Sequence, residues 1–206
     1  MKLFSVLCLS LFAAAASAQD LAPDVQVKRI TDELIGIIKQ DKDIRAGNQK
    51  KVNELIDAKV LPYFNFDRMT ALAVGRTWPR ASAEQQRALT EEFRTLLVRT
   101  YSSALSAYKR QVIEFKPLRA AAGATDVTVR TQVKQPGAAP ISIDYSMEKA
   151  PSGWKVYDVV VGGVSLVTNY RETFNTEIHE GGVDGLIKAL ASKNHSQEVQ
   201  ASSKRR

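Results

Sequence analysis

Cysteine is all but missing from this chain. Its only one is Cys8, so nothing beyond the first residues can form a disulfide, a reactive thiolate or a cysteine-ligated metal centre. Histidine is nearly as scarce, with only His179 and His195. There is no H-E-x-x-H, no phosphate-binding glycine loop and no EF-hand spacing. Ser165 follows a glycine pair, but Val167 stands where a nucleophile elbow requires glycine. Long apolar runs are absent too, and no stretch reaches the eighteen or so residues of a membrane-spanning helix.

What is present starts with an export signal. Lys2 supplies a positive start, Leu3 to Ala15 an apolar core, and Ala16-Ser17-Ala18 a cleavage site, so residues 1–18 are expected to be a signal peptide. Without Lys2, 28 basic residues face 22 acidic ones, a net charge of +6. An exported chain left without cysteine fits the periplasm of a Gram-negative bacterium better than a small disulfide scaffold. Its Lys and Arg are spread over all elements rather than clustered among exposed aromatics, which argues against nucleic acid as a partner.

Helical periodicity fills the first half. Val27, Ile30, Leu34, Ile37, Ile38 and Ile44 predict a helix from about Asp24 to Arg45, with Pro23 just before its start. A second helix carries Val52, Leu55, Ile56 and Val60 and stops at Pro62. Asp67 is a candidate N-cap for a short third, which Gly75 closes before a Trp78-Pro79 elbow. Ser82 with Gln85 makes a capping box. The stripe Leu89, Phe93, Leu96, Leu97, Tyr101, Leu105 and Tyr108 predicts one helix of about seven turns.

After Arg110 the period falls to two. Segments 111–118, 125–134, 141–149 and 154–161 read as strands, joined by Gly- and Pro-bearing connectors. Together they predict a four-stranded antiparallel meander with one apolar and one wet face. Gly162-Gly163 breaks the last strand, and a helix is expected from there to about Glu180, with Val164, Leu166, Val167, Tyr170, Phe174 and Ile178 on one face. Gly181-Gly182 separates a final helix carrying Val183, Leu186, Ile187 and Leu190. Residues 193–206 are polar and basic and read as a disordered tail. One domain over 19–192 is the expectation, its helical parts at about 24–110 and 165–192 and its sheet at about 111–161.

Few residues suggest chemistry. Asp144 and Glu148 alternate onto the wet face. Asp158 shares the phase of Trp154, Val156 and Val160, so it reads as an inward carboxylate needing an arginine partner. His179, between Glu177 and Glu180, reads as a solvated or capping side chain rather than a ligand. The large apolar side chains of the sheet and flanking helices could meet as a filled core or line a cavity. Periodicity alone favours the core.

Two blocks shift that balance. Within Pro62 to Leu105, an F-D-x-M motif falls on Phe66, Asp67 and Met69, a G-x-x-W elbow on Gly75 and Trp78, and F-R-x-L-L on Phe93 to Leu97, followed by Tyr101. Within Trp154 to Ile178 lie W-x-V-Y-D-V and then Ser165, Leu166, Asn169, Tyr170, Arg171 and Phe174. These blocks, in this order and spacing, resemble the MlaC or toluene-tolerance family over about residues 23–192. The Gly162-Gly163 pair departs from the bulkier residues common there.

The resemblance implies an α+β protein with a cone-shaped, cystatin-like twisted antiparallel sheet packed with a helical subdomain. It implies a monomeric, non-enzymatic periplasmic carrier of phospholipid with no cofactor. Its expected partners are an inner-membrane Mla ABC transporter complex and an outer-membrane Mla lipoprotein complex. Such a pocket must be deep and dry, because at ~0.8 kcal/mol per CH₂, on the order of 30 methylenes would cost roughly 24 kcal/mol bare in water. The expected helical pocket residues are Val74, Trp78, Leu97, Tyr101, Leu105 and Tyr108. The sheet and following helix are expected to add Val129, Ile143, Tyr145, Met147, Leu166, Val167 and Tyr170. Val129→Glu is then expected to abolish lipid retention with the fold intact. Two alternatives stay open: a small acid–base enzyme built on such a sheet, and a ligand-free adaptor with a filled core.

Overall fold

A computed structural model describes residues 21–108 and 110–203. The expected signal peptide lies outside the described residues. Helix α1 (Pro23–Gln40) begins on proline, which needs no intrahelical donor there. It ends earlier than the apolar stripe suggests, because Asp41 turns extended and its carboxylate accepts from Asp43 N and Ile44 N, starting the short α2 (Lys42–Arg45). Asn48 caps α3 (Gln49–Lys59) through Lys51 N. A 3₁₀ turn (Leu61–Tyr63) leads into α4 (Phe66–Val74). The cap of α4 is Asn65 rather than Asp67; the Asp67 carboxylate instead accepts from the Thr90 hydroxyl.

Ser82 and Gln85 form both bonds of the capping box that opens α5 (Ala83–Tyr101). The expected seven-turn helix breaks at Ser102, and a separate turn, α6 (Ser103–Ser106), follows. Ser102 is buried, with its hydroxyl accepting from Gln49 Nε2 at 2.7 Å. That contact with α3 is invisible to a periodicity.

The sheet has five antiparallel strands in sequence order rather than four: β1 (Val112–Phe115), β2 (Asp126–Lys134), β3 (Ile141–Ala150), β4 (Gly153–Val161) and β5 (Val164–Ser165). The fold is thus α+β, as expected. Gly162 and Gly163, at φ 58° and 88°, form the two-residue turn between β4 and β5, a type I′ geometry that favours glycine at both positions. The helix expected to follow the pair at once is therefore delayed, and α7 (Arg171–Ser203) starts only after a 3₁₀ turn at Thr168–Tyr170.

Helix α7 kinks at Gly182, where φ is 67°, so the predicted division between two helices is present as a bend. Residues 193–203 are helical, against the expected disorder. Asn194 is buried there, its amide donating to the backbone and carboxylate of Glu92, while Arg99 donates to the Asn194 carbonyl. Polar seams of this kind do not register as hydrophobic periodicity.

Three apolar clusters result. One joins α4, α5 and α7 around Phe93, Phe174 and Leu186; a second lies on the sheet around Val129, Met147 and Trp154; a third joins α1 to α3 around Ile38, Val52 and Ile56.

Candidate functional site

Where these clusters meet they leave space. A cavity of about 280 Å³ lies between the sheet and the helices. Its sheet wall is Tyr145, Met147, Val156, Val159 and Leu166. Alternation along β4 delivers Val156 and Val159 to the same side only because of a β-bulge. Ser146 pairs with Asp158 and Met147 with Val156, so Tyr157 is an extra residue and the phase slips by one.

That slip corrects the reading of Asp158. It turns away from the inner face and its partner is no arginine: its carboxylate accepts from the Ser165 hydroxyl at 2.7 Å and from the N–H groups of Val159 and Val167. Asp158 therefore fastens β5 to β4. Asp144 and Glu148 do lie on the wet face, facing Arg130 at 3.8 Å and Arg68 at 2.6 Å. His179 is exposed on α7, and among the described residues no cluster with metal-ligand composition occurs.

The opposite wall comes from α1. Gln26, Val27, Ile30, Thr31 and Leu34 fall on one helical face, and Gln26 Nε2 donates to the Trp154 carbonyl at 2.9 Å, pinning that face to β4. Val60, Leu61, Tyr63 and Phe64 close one side. They are held by the bridge between Phe64 and Val156 and by Asn65 N donating to Val156 O at 2.8 Å. Met69, Leu97, Val98, Tyr101 and Leu105 close the other.

Gln26, Val27, Met69, Met147 and Val156 of the lining are buried, Thr31, Leu34, Leu105 and Leu166 are half-buried, and Tyr101, at 37%, is exposed. Among the described residues that line the cavity, tyrosine is the only ionisable type. Burial raises the phenol pKa of Tyr101, helped by neighbouring Tyr170, and burial likewise raises that of Tyr145, so both hydroxyls keep their protons at neutral pH. The largely apolar wall suits retention of an apolar molecule.

Of the expected pocket residues, Leu97, Tyr101, Leu105, Tyr145, Met147 and Leu166 line this cavity. The others lie elsewhere. Val74 and Val167 are buried between α4, α5 and α7, with Trp78 and Tyr170 packed on them; Tyr170 meets Phe93 edge-on at 5.2 Å. Val129 and Ile143 belong to the sheet cluster, and Tyr108 packs on the α1–α3 cluster, its hydroxyl donating to the Gln111 carbonyl. The α1 wall and the Val60–Phe64 wall were not expected at the cavity. Their apolar stripe was visible in the sequence, but a stripe carries the same composition whether it faces a core or a void.

A family model described as "MlaC protein" matches residues 28–192. The intermembrane phospholipid transport system binding protein MlaC of Haemophilus influenzae is 26% identical over 195 residues, covering 92% of this chain and 91% of that one. Toluene tolerance protein ttg2D of Pseudomonas putida is 26% identical over 177 residues, covering 85% and 81%. Among solved structures, a phospholipid-binding protein from Ralstonia solanacearum, in complex with a phospholipid, is similar with a TM-score of 0.81 and 41% identity. That match covers 86% of this chain and 99% of the other.

Proposed function

The chain belongs to the MlaC family, and from that premise we propose that it is a periplasmic phospholipid carrier whose acyl chains occupy the cavity between α1 and the sheet. The observation that carries this reading is the character of the cavity wall. Helices α1 and α3 to α6, the Leu61–Tyr63 turn and strands β3 and β4 supply aliphatic, aromatic and methionine side chains, and the described lining holds no charged group. Such a wall favours alkyl chains by roughly 0.8 kcal/mol for each methylene moved out of water and leaves a charged head group at the accessible end. The phospholipid held by the Ralstonia solanacearum neighbour supports the same reading for a chain 41% identical.

In this proposal the protein acts as a monomer and without a cofactor. It receives lipid from one membrane-bound complex and delivers it to another, one in the outer and one in the inner membrane. No helix among the described residues is long and apolar enough to cross a membrane, as a shuttle between the two requires. The test is native mass spectrometry of the purified chain, followed by solvent extraction. Stoichiometric phospholipid is the expected result. A ligand-free protein that also takes no lipid from vesicles would return the cavity to an incompletely filled core.

A further inference from the structure

The inner face of the sheet runs on past the cavity. Directly paired residues share a face, and every second residue of a strand returns to it. From Tyr145 and Val159, which line the cavity, the face passes to the pair Ile143 and Val161 and then to Val164 on β5, while Ile141 follows on β3. Cover thins along this strip. Val159 is buried, Ile143 and Val161 are half-buried, and Ile141 and Val164 are 44% and 55% exposed. The β4–β5 turn is joined to the start of β3, because Gly162 N donates to the Ser142 carbonyl at 2.9 Å. In a chain with 25% charged residues, neither 135–143 nor 159–170 contains one. The charges at this end lie off the strip and are mostly positive. Lys116 and Lys134 share the carboxylate of Glu114, and the bond between Gln111 and Gln135 sets exposed Arg110 beside the β2–β3 loop. The next carboxylates, Asp144 and Asp158, are held by Arg130 and by the Ser165 hydroxyl.

Resting on the carrier reading, we propose that this strip, with Ile141 and Val164 at its exposed end, is the face that seats on an anionic phospholipid bilayer when lipid passes between membrane and cavity. Three observations fit that partner. The strip is apolar and continuous with the cavity wall, so an acyl chain moving along it stays out of water. The loop and turn at its end bring no charge that would have to be desolvated at the acyl boundary. The cations beside them sit where acidic head groups would meet them, and interfacial binding combines apolar burial with attraction to anionic lipid. A second copy of the chain is the poorer partner. A two-fold contact through this face would bring Arg110, Lys116 and Lys134 of both copies together, like charge against like.

The test is co-sedimentation of the purified chain with phosphatidylcholine vesicles, with and without phosphatidylglycerol, beside extraction of its bound lipid. The intact chain is expected to bind the phosphatidylglycerol vesicles and to leave them as salt is raised. Ile141→Asp combined with Val164→Asp should weaken that binding about tenfold, since two aliphatic side chains are replaced by charges that must stay in water. Val164→Trp should strengthen it, and Arg110→Gln should weaken it on the anionic vesicles alone. Val25→Asp is the control and should bind as the intact chain does; Val25 is 47% exposed at the other end of the sheet, where Gln26 meets Trp154. Thermal melts separate a lost docking face from a lost fold. The double variant should keep its extracted phospholipid, because neither residue lines the cavity. Four outcomes overturn this inference and leave the carrier reading standing. The intact, lipid-loaded chain binds neither vesicle; the folded double variant binds as well as the intact chain; it loses its cargo, which makes the strip part of the lipid site; or light scattering shows an intact dimer that the double variant splits. An intact chain whose extract holds no phospholipid and which takes none from vesicles overturns both.

Discussion

The Arg68 guanidinium lies 3.5 Å above the centre of the Tyr157 ring. From that position it donates to Glu148 at 2.6 Å and Asp126 at 2.9 Å, while the Tyr157 hydroxyl donates to Asp126 at 2.6 Å. One side chain of α4 thereby gathers β2, β3 and β4 on the face opposite the cavity. Tyr157 reaches it by plain alternation, since it follows the inward Val156. The bulge then shifts the phase and aims Val159 at the cavity.

Removing this clamp should loosen the helices from the sheet. Arg68→Ala is expected to cost about 1–2 kcal/mol, since the pairs are partly solvent-screened but the stacked cation and a planar fork are lost together. Arg68→Lys should recover less than half, because ammonium neither stacks nor forks. Urea unfolding of the three proteins measures both.

Glu114 supplies a pH handle. Bonds from Lys116 and Lys134 hold its carboxyl at about 2, well below the usual range. A depressed folded pKa means the stabilisation is complete above the unfolded value, near 4.3, and is lost as pH falls toward 2. Carboxyl NMR should place the Glu114 midpoint near 2. Glu114→Gln should flatten the stability curve between pH 4.5 and 2 and leave it unchanged in shape above.

Two acidic substitutions should part company. Val129 is 1% exposed in the sheet cluster and does not line the cavity, so Val129→Glu is now expected to damage the fold by several kcal/mol rather than only to expel lipid. Leu105→Glu, at an accessible part of the wall, should keep a near-normal melting temperature and lose most of its lipid. Circular dichroism melts beside extracted-lipid content decide each case.

The glycine turn should be intolerant in proportion to its geometry. Gly163, at φ 88°, meets open space where a Cβ would go, so Gly163→Ala is strained by backbone alone and should cost about 1 kcal/mol. Gly36, in helical backbone with equal space, should gain up to about 1 kcal/mol as alanine. Thermal unfolding of the pair checks the contrast.

What the sequence by itself determined is local. The capping box at Ser82, the proline start of α1 and the alternation in β2 and β3 depend on a few neighbouring residues, and the side chains there state the outcome. What only tertiary structure decided is which apolar stripe meets another and which meets a void. Leu97 and Val74 are equally good core residues by composition, yet one lines the cavity and the other is sealed against α5 and α7. The break at Ser102 and the helix beyond Asn194 rest on Gln49 and Glu92, roughly fifty and a hundred residues away. The same holds for the bulge at Tyr157, which exists only relative to β3. Burial energy is indifferent to direction, so a stripe reports that it must leave water, whereas contacts distant in sequence decide what it faces when it does.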